Sequence, residues 1–221
     1  MIIAVKKAFY FPIAYYFRFW AKIQLNLWKP KIIVITGSSG KTILLHLIES
    51  QIGEKAKYSH HANSSFGIPF DILGLSRKNL TKDEWISLFF LAPFRAFKPK
   101  PKEKLYIVEA DCDRSGEGKF LASLLKPEIT LWISSSLTHS ANFDYLVNNK
   151  SFSSLEEAIA YEFGFFPQYT KSLVIANADS ELIREQLKRT KADVKNISIQ
   201  NLKDYKIFEN STEFIIEHKK Y

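Results

Sequence analysis

Six consecutive residues near the start of the chain have the types and order of a phosphate-binding loop: Gly37, Ser38, Ser39, Gly40, Lys41 and Thr42. The two glycines allow the tight backbone that a bound phosphate requires, and the helix that follows contributes partial positive charge at its N-terminus. The lysine ammonium can reach the outer phosphates, and the threonine hydroxyl is a ligand for Mg²⁺. The pattern predicts a site for a nucleoside triphosphate, ATP with Mg²⁺.

The segments on either side of this loop are those that a phosphate site needs. Residues 31–36 form a short β-branched run typical of a buried strand, and residues 42–51 have helical periodicity. The spacing Gly-x-x-Gly-Lys-Thr is shorter than the general Gly-x4-Gly-Lys-Ser/Thr pattern, because Ile35 stands where the first glycine would be. The strand–loop–helix order favours phosphate binding over the alternative, an ordinary strand-to-helix turn.

The rest of the chain predicts an α/β domain with a mostly parallel sheet flanked by helices. Further strands are predicted at residues 105–109, 129–133 and 173–176, and helices at 82–97, 116–125, 155–166 and 180–188. The tail, residues 194–216, alternates more and suggests short antiparallel strands. In such a fold the site lies at the carboxyl ends of the parallel strands.

The N-terminal segment, residues 1–28, is expected to be an aromatic, amphipathic helix preceding the domain at 29–221. Residues 1–31 carry six basic side chains and no acid, which is most of the net charge of +8. Aromatic residues interspersed with Lys and Arg suit a helix at a membrane interface. The alternatives are a helix packed on the domain or a partner, and a membrane span, for which the charge-free run is too short.

The composition indicates the cellular compartment and excludes one class of binding partner. The single cysteine, Cys112, excludes a disulfide framework and fits a reducing cytoplasm, with the inner face of the cell membrane as a second possibility through residues 1–28. The body of the chain has no broad basic face, so no nucleic-acid partner is expected.

Several segments, in order, resemble the central ATP-binding domain of the Mur ligase family, whose members join amino acids or peptides to nucleotide-linked muramic acid in cell-wall synthesis. They are the loop at 36–42, Asn63-Ser-Ser-Phe-Gly-Ile-Pro69, Glu109, Gly116-Glu117, residues 121–127, His139, and Asn177-Ala-Asp179. The ligase that adds D-alanyl-D-alanine looks most similar. The resemblance implies an ATP-dependent ligase that forms an acyl phosphate and then an amide.

The resemblance also implies roles for individual residues. Lys41, Glu109 and His139 would be catalytic, and Thr42, Glu109 and His139 would hold Mg²⁺. Asn63 would lie near the substrate, a muramoyl-peptide, while Asn177 and Asp179 would contact the adenine. The alternatives are a strand-end carboxylate paired with a lysine for Glu109, a hydrogen-bonded loop histidine for His139, and turn residues for the two asparagines.

The sequence also departs from the family pattern. Glu162 stands where the family has a carbamylated lysine, and its carboxylate would offer a similar group to a second Mg²⁺, unless it is a solvated helix residue. The family's N-terminal substrate domain and its C-terminal domain have no counterpart in these 221 residues. Besides the ligase, two readings stay open: a nucleotide-binding module that works with a second chain, and an unrelated P-loop NTPase at the membrane.

Overall fold

The computed structural model describes residues 2–60, 62–79, 81–137, 143–209, 211–216 and 219–220. The strands are β1 (Lys31–Thr36), β2 (Ala56–Ser59), β3 (Leu105–Ala110), β4 (Ile129–Trp132), β5 (Leu173–Asn177), β6 (Asp193–Ile197), β7 (Leu202–Ile207), β8 (Thr212–Ile216) and β9 (Lys219–Lys220). The helices are α1 (Ile2–Trp28), α2 (Lys41–Ile52), α3 (Gly67–Leu73), α4 (Lys82–Ala96), α5 (Glu117–Leu125), α6 (Asp144–Asn148), α7 (Leu155–Phe163), α8 (Phe165–Tyr169) and α9 (Glu181–Leu187).

Six strands form one parallel sheet in the order β2-β3-β1-β4-β5-β6. The predicted α/β fold with a parallel sheet is therefore confirmed. The tail differs from the prediction in part, because β6 extends the parallel sheet and only β7, β8 and β9 form a small antiparallel sheet. The central strands β1 and β3 end side by side, with Thr36 opposite Ala110. This arrangement brings the loops that follow both strands to the same edge.

Alternate strand residues face two unequal layers, as the period of a strand requires. On one face, Ile35 and Ile107 pack with Leu45 of α2 in a small cluster. On the other face, Val34 and Val108 belong to a large core built with the remaining long helices. Each large apolar side chain buried in this way contributes about 1.5–3 kcal/mol. The two layers fix the sheet edge at which the phosphate loop lies.

Helix α1 packs on the domain along one of its faces. The buried apolar residues recur at helical spacing and are Ala14, Phe17, Ala21, Leu25 and Trp28. The Trp28 indole also donates a hydrogen bond to the Glu103 carbonyl at 2.7 Å. None of the helices within the described part of the chain combines the length and apolar character that crossing a membrane requires. Some aromatic side chains of α1 are thus buried in the core on one face, while Phe9, Tyr15 and Phe19 are exposed on another.

Candidate functional site

The phosphate loop connects β1 to α2 through two glycines in left-handed backbone conformations. Gly37 has φ +128° and Gly40 has φ +84°. A Cβ atom at Gly37 would lie 2.7 Å from the Ser134 carbonyl oxygen, so both the backbone angle and the close approach require glycine. The loop leads directly into the N-terminus of α2, where the first backbone amides have no acceptor within the helix. These amides and the helix dipole favour an anion at this point.

Lys41 is the first residue of α2, and its ammonium group is held inside the loop. Its Nζ donates to the Gly37 carbonyl oxygen at 2.6 Å and lies 2.9 Å from the Asp111 carboxylate. Both side chains of this ion pair are about one-tenth exposed, at 8% and 11%. A buried charge of this kind needs its partner, because the interior does not solvate it. Asp111 therefore fixes the ammonium group under the loop.

Thr42 and Glu109 form the second pair of the site. The Thr42 hydroxyl donates to the Glu109 carboxylate at 3.1 Å, and Glu109 is 8% exposed. A hydroxyl and a carboxylate are oxygen ligands of the kind that Mg²⁺ prefers. Together with Lys41 and Asp111, the site contains one ammonium and two carboxylates. This set has a net negative charge and is electrostatically suited to a divalent cation.

Ser38 and Ser39 face the loop that follows β4. The Ser38 amide donates to the Ser134 carbonyl at 3.2 Å, and the Ser39 amide donates to the Ser134 hydroxyl at 2.9 Å. The Ser38 hydroxyl donates to the Ser136 carbonyl and accepts from the Ser136 amide, at 2.9 and 2.8 Å. The amides of Ser38 and Ser39 are therefore engaged within the chain. The amides at the start of α2 are the ones left to bind phosphate.

The segment containing Asn63 lies beside the same strand end. The backbone carbonyl of Asn63 accepts a hydrogen bond from the Asp111 amide at 2.8 Å. The site thus brings together Lys41, Thr42, Glu109 and the backbone of Asn63. His139 lies outside the described residues, so its predicted role stays a prediction.

Glu162 is committed to the N-terminus of α5 rather than to the Thr42–Glu109 pair. Its two carboxylate oxygens accept from the amides of Gly116 and Gly118 at 2.7 and 3.0 Å. Burial raises the pKa of Glu162, opposed by these two hydrogen bonds. The side chain is 3% exposed, so it is not the solvated residue that the sequence offered as the alternative. Binding a second Mg²⁺ would compete with this capping role.

Glu117 is a second buried carboxylate, and it anchors the Asn63–Pro69 segment. One of its oxygens accepts from both the amide and the hydroxyl of Ser65, at 2.8 and 2.6 Å, and the other accepts from the Asp113 amide at 3.0 Å. Burial raises the pKa of Glu117, while the hydrogen bonds from Ser65 lower it. The carboxylate of Glu117 therefore ties the loop after β2 to the loop after β3.

Asn177 and Asp179 lie along a groove next to the phosphate loop. The groove has a volume of about 720 Å³ and begins at Leu44 and Ile133; its far side includes Ile199. Both predicted adenine contacts also make bonds within the chain: Asn177 donates to the Ile133 carbonyl at 3.1 Å, and Asp179 accepts from the Ile199 amide at 2.9 Å. They shape the groove through the turn between β5 and α9.

Sequence reasoning missed Asp111 and Ser134 as parts of the site. A signal for Asp111 was present, because Glu109 and Asp111 are two residues apart at a strand end and so face the same side. No comparable signal marks Ser134, whose contact with Gly37 depends on the pairing of β1 with β4.

The sequence matches no protein-family model and no curated protein. The fold is similar to that of a MurF ligase from Thermotoga maritima solved in complex with ADP, with a TM-score of 0.67 and 17% identity over 94% of this chain and 43% of that one. A MurF from Acinetobacter baumannii has a TM-score of 0.60 and 14% identity over 88% of this chain and 38% of that one. This chain thus spans about two-fifths of the length of these ligases. The predicted resemblance is confirmed at the level of the fold: the chain has the fold of a part of the MurF ligases.

Proposed function

We propose that this protein binds ATP with Mg²⁺ on the loop from Gly37 to Thr42 and uses it in an amide-forming reaction of the Mur ligase type. The observation that carries the proposal is the convergence of the Lys41 ammonium, the Thr42 hydroxyl and the Glu109 carboxylate at the N-terminus of α2. Positioning and charge compensation are what phosphoryl transfer asks of a protein.

The charges of the site support a metal-dependent mode of binding. Glu109 and Asp111 would repel a triphosphate, and Lys41 balances only one of them. The Thr42 hydroxyl and the Glu109 carboxylate would hold Mg²⁺, which would neutralise charge on the phosphates when bound. Lys41 would give up part of its contact with Asp111 to reach the outer phosphates. Nucleotide affinity should therefore depend strongly on Mg²⁺.

The groove beside the loop supports a place for the nucleoside. A Cβ atom at Gly40 would lie 3.8 Å from Ile133, the residue at which the groove begins. A phosphate chain seated at the start of α2 would therefore lead into the groove, with the base towards Asn177 and Asp179. The volume of about 720 Å³ is within the range typical of small-molecule sites.

The alternative is a nucleotide-binding module that needs a second chain for turnover. It is favoured by the engagement of both Glu162 carboxylate oxygens in capping α5, which competes with the binding of a second Mg²⁺. Joining two substrates requires that both be held in line.

Two measurements separate the alternatives. Calorimetry of ATP binding with and without Mg²⁺ tests the site, and Lys57→Ala serves as the control for Lys41→Met because Lys57 forms a separate ion pair. Phosphate release is then measured with and without a muramoyl-peptide and a D-alanyl-D-alanine donor. Substrate-stimulated release with a new amide supports the ligase, whereas binding without release supports the module. Absence of Mg²⁺-dependent ATP binding contradicts both.

We also propose that the protein contacts the cytoplasmic face of an anionic membrane, through a surface that α4 shares with α1. This aromatic ridge consists of Phe19, Ile86, Phe90, Phe94 and Phe97, which are 56–71% exposed. It is continuous, because Trp20 contacts both Phe19 and Phe97 at ring distances of 4.9 and 6.4 Å. Exposed apolar surface of this kind marks an interaction site.

The charges around the ridge favour anionic lipid as its partner. Residues 82–103 contain five basic and three acidic side chains, the basic ones concentrated after Phe94, and residues 1–31 contain six basic side chains and no acid. Basic residues near a bilayer contribute about 1 kcal/mol each with anionic lipid. Deleting residues 1–28 would uncover the core that Phe17 and Trp28 fill, so point substitutions on the ridge are the better test.

The test is sedimentation with vesicles of phosphatidylglycerol or of phosphatidylcholine. Burying one Phe side chain contributes about 1.5–3 kcal/mol. The double variant Phe90→Ser, Phe94→Ser should therefore bind phosphatidylglycerol at least about tenfold more weakly. Phe208→Ser, at an exposed position elsewhere, should bind like the wild type. Equal binding by the double variant, or no preference for phosphatidylglycerol, contradicts the proposal.

A further inference from the structure

A histidine–glutamate–histidine cluster lies outside the phosphate site, between α2 and the end of β2. His46 and Glu49 are three residues apart on α2, so they share one face of the helix. His60 follows β2 directly and faces the same point. The Glu49 carboxylate lies 3.4 Å from His46 Nδ1 with one oxygen and 3.1 Å from His60 Nε2 with the other. The ligand atoms of all three residues lie within 4.8 Å of one another.

These separations are close to those of a metal site. Metal–ligand bonds of about 2.0–2.1 Å in tetrahedral geometry place two ligand atoms about 3.3 Å apart. The two contacts of Glu49, each through a different carboxylate oxygen, already have about this length, and the three ligand atoms lie within 4.8 Å of one another. The His46 and His60 rings are 5.5 Å apart and nearly parallel, at 18°, and the Tyr58 ring stacks on His60 at 6.1 Å. Stacking of this kind limits the orientations that His60 can take.

The chemistry of the donors selects the class of cation. Imidazole nitrogen suits Zn²⁺, Ni²⁺, Cu²⁺ and Fe²⁺, whereas Mg²⁺ and Ca²⁺ prefer oxygen. Two histidines and one carboxylate on an exposed face would leave coordination positions for water or a further ligand. The side chains of His46, His60 and Glu49 are 61%, 38% and 35% exposed, so a cation reaches them without an opening of the fold.

We propose that His46, Glu49 and His60 bind one divalent transition-metal ion, such as Zn²⁺. The ion would clip the segment after β2, which leads to Asn63, onto α2. The site begins one helical turn beyond Thr42 on the same helix, and it is separate from the Thr42–Glu109 pair. The proposal does not depend on the proposed function, because it rests on its own three ligands.

The test is calorimetry of ZnCl₂ binding to the full chain after chelator treatment and dialysis, with Co²⁺ absorption as a report of coordination geometry. We expect one equivalent of Zn²⁺, a rise in the melting temperature on binding, and at least about tenfold weaker binding for Glu49→Gln and for His46→Ala. The variants that decide the test are those of the two ligands on α2, because the residue next to His60 is also a histidine, His61, which lies outside the described residues. Both substituted side chains are at least one-third exposed, so the fold should tolerate the change.

The matched control is Glu54→Gln, which changes an exposed carboxylate near the end of α2 that is not part of the cluster. It should bind Zn²⁺ like the wild type. The proposal is overturned if the wild type binds no Zn²⁺ at millimolar concentration, or if Glu49→Gln and His46→Ala bind it as tightly as Glu54→Gln.

Discussion

Lys41→Met removes one partner of the buried ion pair with Asp111 and keeps most of the volume of the lysine stem. The two charged atoms are 2.9 Å apart and about nine-tenths buried, so the substitution leaves a carboxylate without its cation. Removing one partner of a buried pair costs about 3–5 kcal/mol. ATP binding is weakened separately, because the variant lacks the charged hydrogen bond from Lys41 to phosphate. That loss costs about 1.5–3 kcal/mol of binding free energy, which corresponds to roughly 10- to 150-fold in affinity.

The assay is a double-substitution cycle with Asp111→Asn, followed by urea unfolding and by calorimetry of ATP with Mg²⁺. Adding Asp111→Asn to Lys41→Met should restore at least about 1 kcal/mol of the lost stability, because the unpaired charge is gone. Nucleotide affinity should stay low in both proteins that lack Lys41. Lys57→Ala removes a more exposed pair with Asp71 and should leave ATP binding unchanged. Unaltered stability in Lys41→Met, or ATP affinity restored to the wild-type level by adding Asp111→Asn, would contradict the role assigned to Lys41.

The remaining predictions concern the glycine of the loop, the metal pair and a buried carboxylate. Gly37→Ala should destabilise the fold and weaken ATP binding, since its Cβ would lie 2.7 Å from the Ser134 carbonyl. A Cβ at Gly53 would meet nothing within 4 Å, so Gly53→Ala should cost about 1–3 kcal/mol for its backbone angles alone, φ 60° and ψ −141°. Urea unfolding measures both variants. Thr42→Val should weaken ATP binding in the presence of Mg²⁺ and leave the affinity without Mg²⁺ unchanged, as followed by calorimetry. Burial raises the folded-state pKa of Glu162 above its usual value of 4.5, so the free energy of unfolding should fall as pH rises from about 4.5 through that raised pKa. Glu162→Gln should make this part of the pH profile of stability less steep. An equally steep profile in the variant would contradict the burial of this carboxylate.

The sequence allowed most of the fold to be predicted because its strands are apolar runs with clear limits. Residues 31–36 were predicted as a strand and form β1, and the helix predicted at 82–97 forms α4 at Lys82–Ala96. Thr81 caps α4 by accepting from the Glu84 amide, which is the type of local signal that a sequence displays. By contrast, β2 is four residues long and contains a lysine and a serine, so its pairing with β3 is visible only in three dimensions.

The site was predictable where one residue type fixes the chemistry and was not where a contact depends on packing. Lys41, Thr42 and Glu109 were named from the sequence, and the structure brings the last two within 3.1 Å. For Glu162 the sequence left a second-metal ligand and a solvated helix residue as alternatives, and neither indicates that α7 and α5 approach so that its carboxylate accepts from the Gly116 amide. For helix α1 the sequence left a membrane interface and packing on the domain as alternatives, and the complete burial of Phe17 shows that one face packs on the domain. Periodicity alone does not say which of two apolar surfaces a helix will cover.

The most direct test of the central claim is a crystal structure of this protein with ADP and Mg²⁺. We expect a diphosphate at the N-terminus of α2, within hydrogen-bond distance of the Lys41 ammonium, with Mg²⁺ between Thr42 and Glu109. A nucleotide bound elsewhere, or none bound at saturating concentration while the loop keeps its conformation, would contradict it.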